Sequence, residues 1–145
     1  MSEQDNLRLT RQVWDAWNAH DPEAFIKLLD DNFISESDTL PASLRGREAA
    51  RQSMQMYLKA FPDLHFDIQQ MMASGERVIT QWHATGTHKG ELMGIPASGR
   101  RGEGIRGCSV SQHGGGKVVR EWVYWDVASL LRQIGALPAA SHTSG

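Results

Sequence analysis

At 145 residues the chain is long enough for one domain with a sizeable core, whereas two domains would each be marginally small. Its hydrophobic content of 40% and charged content of 22% are typical of a globular protein and argue against a disordered or fibrous one. The net charge is -2, and basic residues are scattered among acidic ones. Nucleic acids and anionic membranes require a concentrated basic surface, so neither is an expected partner.

Cysteine usage and the amino terminus indicate a cytoplasmic protein. The single cysteine, Cys108, cannot form an intramolecular disulfide. Residues 1–10 contain neither a basic leader nor an apolar segment of the kind that directs secretion. No apolar run approaches the roughly 20 residues that span a bilayer, so we expect no membrane-spanning segment.

The first half of the chain predicts three helices. Apolar residues recur at helical spacing in residues 7–17. Asp21 and Pro22 then suit the N-cap and the first position of a second helix. A third helix is predicted over residues 47–60, and Pro62 ends it because proline disfavours helical backbone at the residue before it.

After residue 63 the hydrophobic period changes from that of a helix to that of a strand. Four strand-length segments with partial alternation follow: LHFDIQQMMA, RVITQWHATGT, GIRGCSVSQH and KVVREWVYWD. The segment VASLLRQIG predicts a closing helix, with Gly135 suited to its C-terminal cap. We therefore expect a single domain over residues 1–138 and a frayed tail over residues 139–145.

Helices followed by a run of antiparallel strands predict an α+β fold. A curved antiparallel sheet wrapped around the three N-terminal helices would form a cone. Such a cone can keep an apolar interior open at one end, where a small hydrophobic ligand can bind.

The last predicted strand ends in an unusual combination of aromatic residues and one acid. If the strand is regular, Trp122, Tyr124 and Asp126 share one face. The opposite face then carries Val119, Glu121, Val123 and Trp125. A β-bulge in this strand would exchange the two faces.

Two roles are open for Asp126 at this position. Neighbouring aromatic rings would remove water from the carboxylate, raise its pKa and make it a general base. Alternatively, Asp126 simply caps the final helix by accepting hydrogen bonds from backbone amides, and spacing alone favours this simpler interpretation.

Three blocks in the expected order resemble the SnoaL-like polyketide cyclase family, which belongs to the nuclear-transport-factor-2-like superfamily of α+β cone folds. The blocks are AFPDLHF (residues 60–66), TGTHKGELMGIPASGRR (residues 85–101) and GKVVREWVYWDVASLLRQIGALP (residues 116–138). The resemblance implies an enzyme with no metal or organic cofactor that closes a ring of an aromatic polyketide methyl ester by intramolecular aldol condensation. It also implies that the aspartate ending the last strand, here Asp126, is the general base.

The resemblance leaves two further functions open. Relatives of the cyclases are associated with hydroxylation of anthracycline-type polyketides, and the superfamily includes modules that only bind a small apolar ligand or a protein. The resemblance also does not decide which face of the predicted strand over residues 104–113 holds the substrate oxygens. One face offers Arg106, Cys108 and Gln112, and the other offers Ser109, Ser111 and His113.

The remaining candidate residues each have a structural alternative. His88 could donate to a substrate carbonyl or could hold the long loop that follows it. Trp82, Trp122 and Tyr124 could line a pocket for a flat substrate or could be ordinary packing residues. The histidines show no metal-binding spacing, so we expect no metal site. An apolar outer sheet face would suit a homodimer.

Overall fold

The computed structural model describes residues 2–39 and 42–138. These residues form four helices, α1 (Glu3–Asn18), α2 (Pro22–Ile26), α3 (Gly46–Ala60) and α4 (Val127–Gln133). They also form six strands, β1 (Leu29–Ser37), β2 (Leu44–Arg45), β3 (His65–Ser74), β4 (Arg77–Thr87), β5 (Arg101–Gly114) and β6 (Lys117–Trp125). Over the described ranges, no helix is both long and apolar enough to cross a bilayer. The tail predicted over residues 139–145 lies outside the described residues.

The helix ends follow the signals present in the sequence. The amide of Ala24 donates to Asp21 Oδ1 at 3.1 Å, which confirms the predicted N-cap of α2. Helix α3 ends at Ala60, two residues before Pro62, as predicted. Beyond α4, Gly135 adopts a φ of 83°, a left-handed conformation that suits glycine, and so terminates that helix.

The sheet confirms the predicted α+β class and adds one feature that local patterns did not predict. Its strand order is β2-β1-β6-β5-β4-β3. The four strands β3 to β6 form the expected antiparallel meander. Strand β1, however, lies beside β6 and runs parallel to it. The sheet is therefore mixed, and the chain segment that joins these two neighbours contains α3 and four further strands.

Register shifts interrupt all three pairings of the meander. They fall at Ile68/Gln70 in β3, at Ala84/Gly86 in β4 and at Gln112/His113 in β5. Such irregularities bend a strand and increase its local twist. The resulting sheet is curved and unclosed, and its inner face is covered by the helices.

Two apolar clusters flank the interior of the cone. The first joins α1, α2 and α3 to β1, with Leu29, Phe33 and Met54 at its most buried positions. The second lies where α3 ends and α4 begins to cover the sheet, and it includes Phe61, Leu92 and Leu130. The two clusters hold the helices against the sheet, one at each end of the space that lies between the helices and the sheet.

A glycine on β5 makes room for the indole of Trp82. Trp82 and Gly107 are paired across β4 and β5. A Cβ atom at Gly107 would lie 2.1 Å from Cζ2 of Trp82, far inside van der Waals contact. Without a side chain at this position, the indole lies across β5 and packs against Phe66 at a ring distance of 5.1 Å.

We predict that Gly107→Ala lowers the free energy of unfolding by about 1–3 kcal/mol, because the added methyl group overpacks the space that Trp82 fills. Chemical denaturation measures this change. Gly114→Ala is the matched control on the same strand, since its added Cβ would meet Val119 Cγ1 at an ordinary 3.4 Å. Equal losses in the two variants would contradict the predicted clash.

Candidate active site

A half-enclosed cavity of about 140 Å³ lies between the inner face of the sheet and helices α1, α3 and α4. Most of its wall is aromatic or aliphatic, with contributions from Trp14, Trp17, Phe61, Leu64, Phe66, Trp82, Ala84, Ile105, Val123, Trp125 and Leu130. Polar side chains interrupt this wall at Ser35, Ser37, Thr39, Ser53, Tyr57, Thr85, Ser109 and Glu121. The cavity therefore suits a flat apolar ligand that also carries a few polar atoms.

A bulge in β6 determines which of its side chains enter the cavity. Gln112 pairs with Arg120 and His113 pairs with Val118, so Val119 is an extra residue without a partner of its own. Val118 is buried in the first apolar cluster. After the bulge the inner face is carried by Glu121, Val123 and Trp125. The inner face is therefore not the one that carries Trp122 and Tyr124.

Trp122 and Tyr124 consequently lie outside the cavity, contrary to the expectation that they line it. Trp122 lies beneath two guanidinium groups, with Arg77 Cζ 4.8 Å and Arg120 Cζ 5.0 Å from the ring centroid. Tyr124 is 51% exposed. Both residues belong to the outer face of the sheet because the bulge reverses the alternation that would have turned them inward.

Glu121 is the one carboxylate that lines the cavity among the described residues. Its Oε1 accepts a hydrogen bond of 2.8 Å from the Ser35 hydroxyl of the neighbouring strand β1. Its Oε2 has no hydrogen-bond partner in the described part of the chain and is not fully buried. One carboxylate oxygen is thus held by the protein, and the other has no hydrogen-bond partner among the described residues.

The surroundings of Glu121 favour its uncharged form. Burial raises the pKa of the Glu121 carboxyl, and the hydrogen bond from Ser35 partly opposes that rise. A carboxylate with a raised pKa in an apolar site is a stronger base than one in water. A position in the cavity wall and a raised pKa are two features typical of a general base.

Asp126 lies outside the cavity, at the N-cap of α4. Its Oδ1 accepts a hydrogen bond of 3.0 Å from the amide of Ser129, and its Oδ2 accepts one from the Ser129 hydroxyl. The hydrogen bond from the Ser129 hydroxyl makes the largest contribution to lowering the pKa of Asp126, and the bond from the Ser129 amide comes next. The positive charges of Arg132 and Arg106 lower this pKa further. The expected rise in pKa is wrong, because the side chain is exposed rather than enclosed by aromatic rings.

His88 is fully buried and holds the loop that follows it. Its Nδ1 accepts from the amide of Ser98 at 3.2 Å and lies 2.9 Å from the Ser98 hydroxyl. The amide of Gly99 donates to the His88 carbonyl at 2.8 Å. The ring lies 5.6 Å from that of Phe61, and His88 is absent from the cavity wall. These contacts match the structural alternative for this residue.

Trp82 does line the cavity, where it is almost completely buried. Its Nε1 donates to the hydroxyl of Ser109 at 3.0 Å. The face of β5 that carries Ser109, Ser111 and His113 is therefore the inner one, and of these three side chains only Ser109 belongs to the wall. Cys108 pairs with Tyr124 on the outer face.

Sequence reasoning did not select Glu121 or Ser35. The signal for Glu121 was present but weak, since it required recognising that Val118 had to remain in the core while Trp122 and Tyr124 faced outward. Ser35 gave no local signal, because its contact with Glu121 depends on the parallel pairing of β1 with β6. No group of three or more His, Cys, Asp or Glu side chains suited to a metal ion occurs within the described residues.

Comparison with known proteins identifies both the family and the fold. The SnoaL-like polyketide cyclase family matches residues 7–134. AclR, a proposed hydroxylase from Streptomyces galilaeus, is 28% identical, with a TM-score of 0.85 over 97% of this chain and 87% of its own. IdmH, a proposed polyketide cyclase from Streptomyces antibioticus, is 26% identical, with a TM-score of 0.77 over 90% of this chain and 98% of its own.

A protein of ketosteroid isomerase-like fold from Catenulispora acidiphila is 17% identical, with a TM-score of 0.76 over 88% of this chain and 92% of its own, and is similar in fold alone. No curated protein matches the chain significantly. The family match nevertheless spans all four helices almost completely and all six strands. The chain therefore belongs to the SnoaL-like polyketide cyclase family.

Proposed function

We propose that this protein is an enzyme that closes a ring in an aromatic polyketide or a related polycarbonyl compound by intramolecular aldol condensation, with Glu121 as the general base. The observation that carries the proposal is the carboxylate of Glu121, whose Oε2 has no hydrogen-bond partner among the described residues, in a cavity with a largely apolar wall. Family membership supports the substrate class. The role first considered for Asp126 passes to Glu121 because the cavity wall includes only the latter.

The proposed reaction needs one proton acceptor and no external oxidant or reductant. Glu121 removes a proton from a carbon that lies between carbonyl groups, and conjugation spreads the resulting negative charge over their oxygens. The enolate carbon then attacks a second carbonyl carbon of the same molecule, so that one carbon–carbon bond forms. The new alkoxide takes back the proton from Glu121, which restores the base for the next turnover.

The walls of the cavity support the same chemistry. Aromatic side chains of α1 and β6, Trp14, Trp17 and Trp125, offer flat surfaces for fused rings. A ligand packed against them excludes water from Glu121, and this maintains the raised pKa of the carboxyl. Binding of the rings also brings the reacting carbons close together, which replaces a random encounter with a fixed geometry.

We predict that Glu121→Gln lowers kcat by about 100-fold to 10,000-fold, because glutamine keeps the shape of the side chain but cannot accept the proton. The assay uses an aromatic polyketide methyl ester with an open 1,3-dicarbonyl chain and follows the cyclised product by chromatography. Asp126→Asn is the matched control, and we expect its kcat to stay within a few-fold of the parent protein. The reverse pattern would assign the base to Asp126.

The pH dependence of kcat/KM gives a second prediction, because the two carboxylates shift in opposite directions. A general base works in its ionised form, so kcat/KM should rise with pH through the pKa of the base. Since burial raises the pKa of Glu121, the midpoint should lie above the ordinary glutamate value. It should stay there in Asp126→Asn. A midpoint below the ordinary aspartate value would instead match the lowered pKa of Asp126.

Hydroxylation in the same cavity is the second candidate function, and similarity to AclR favours it. Hydroxylation adds one oxygen atom and therefore needs dioxygen and a source of two electrons, which a partner would have to supply. We predict that the product of the aldol reaction keeps the mass of the substrate or loses one water. Mass spectrometry would identify hydroxylation by the gain of one oxygen, and an unchanged substrate that still binds would favour a non-catalytic binding protein.

A further inference from the structure

The polar side chains of the cavity are distributed unevenly over its walls. Five of the hydroxyl-bearing residues lie on β1, the turn after it, and α3, namely Ser35, Ser37, Thr39, Ser53 and Tyr57. The opposite wall, built from α1, β3 and α4, is apolar. A ligand that fills the cavity must therefore present different chemistry to its two sides.

Three of these residues, Ser37, Thr39 and Tyr57, form a group that we call the hydroxyl row. The side-chain oxygens of Ser37 and Thr39 are 2.9 Å apart, and the amide of Thr39 is 3.4 Å from Ser37 Oγ. Tyr57 lines the same wall, where burial raises the pKa of its phenol and the Thr39 side chain partly opposes that rise. Ser37 and Thr39 thus form a hydrogen-bonded pair, and Tyr57 adds a third hydroxyl to the same wall.

The hydroxyl row has unused hydrogen-bonding capacity. Each hydroxyl has one hydrogen to donate and two lone pairs that accept. The bond between the Ser37 and Thr39 hydroxyls uses one of their two hydrogens, so one donor of the pair stays free whichever way the bond points. Leaving that donor unpaired beside an apolar ligand would be unfavourable, whereas a ligand oxygen would satisfy it.

The hydroxyl row also has a fixed relation to the proposed base. Ser35, which binds Glu121, precedes Ser37 by two residues on β1, and both side chains line the cavity. Residues two apart in a strand project from the same face at a separation of about 7 Å. That separation is comparable to the width of one or two fused rings. A ligand can therefore have its reacting carbon at Glu121 and its oxygens at the hydroxyl row.

We propose that Ser37, Thr39 and Tyr57 form a specificity-determining subsite that binds oxygen atoms on one edge of the substrate. The substrate class is then an aromatic compound with at least two neighbouring ring oxygens on one edge and an apolar opposite edge. This inference rests on the proposed function for the location of the reacting carbon. The subsite itself acts in binding and needs no turnover.

The test compares two isomers that differ only in the position of their oxygens. Naphthalene-1,3-diol carries both hydroxyls on one ring, whereas naphthalene-2,6-diol carries them at opposite ends. Quenching of the tryptophans in the cavity wall gives the Kd of each. The protein carries Glu121→Gln in all titrations, so that base chemistry does not affect the result. We expect about tenfold tighter binding of the 1,3-isomer, the effect of one or two added hydrogen bonds.

Removing the hydroxyls should abolish the preference without abolishing binding. In Ser37→Ala/Thr39→Val the two Kd values should converge, with that of the 2,6-isomer little changed. Thr85→Val is the matched control, since it removes a cavity hydroxyl from β4 and should keep the preference. Tyr57→Phe provides an independent test if the double variant does not fold, as judged by its thermal unfolding.

Three results would overturn the subsite. The first is equal or undetectable binding of both isomers by the protein with an intact hydroxyl row. The second is retention of the preference for the 1,3-isomer in the folded double variant or in Tyr57→Phe. The third is an equal loss of that preference in Thr85→Val. Failure of the proposed function is a separate outcome. It would appear as full turnover in Glu121→Gln, whatever the two isomers show.

Discussion

The bulge at Val119 is the constraint on which the cavity depends. Side chains alternate along a strand, so one additional residue exchanges the two faces for every position that follows. Before the bulge, Val118 belongs to the apolar core. After it, Glu121 faces the cavity, while Trp122 packs beneath Arg77 and Arg120 on the outer face. Without the bulge, the register set by His113 and Val118 would place Arg120 opposite Ser111, where Glu121 now lies.

Keeping Glu121 in this position opposes the stability of the fold at neutral pH. Its pKa is raised in the folded protein, so the folded state binds the proton more tightly than the unfolded chain does. Its contribution to stability is therefore fully present below the unfolded pKa and is lost as the pH rises through the folded pKa. The hydrogen bond from Ser35 limits this loss by stabilising the ionised form.

Asp126 has the opposite linkage to stability. Its pKa is lowered by hydrogen bonds from Ser129, so its contribution is present above the unfolded pKa and declines as the pH falls through the folded pKa. Two carboxylates five positions apart on one segment thus respond oppositely to acid. This difference in environment distinguishes the proposed base from the residue that caps a helix.

The sequence predicted the elements of the fold more completely than it predicted the side chains of the site. Helical spacing and capping residues located α1 to α3, and the period of two located the meander, because both signals are local. The family resemblance directed attention to the segment that carries the base proposed above. The register of that strand depended on how Arg120 and Val118 pair with β5, which no local pattern specifies. Ser35 joined the site through a parallel pairing with a distant strand, and this too has no local signal.

The acid that ends the aromatic strand nevertheless contributes to the cavity through the helix that it caps. Asp126 fixes the first turn of α4 through Ser129, and α4 carries Leu130 into the cavity wall. There Leu130 packs so closely over Gly102 that a Cβ at this glycine would lie 2.8 Å from Leu130 Cδ1. Helix capping and the proposed base are therefore assigned to two different acids on the same segment. Asp126 holds α4 in place at the apolar wall, and Glu121 projects into the space that this wall encloses.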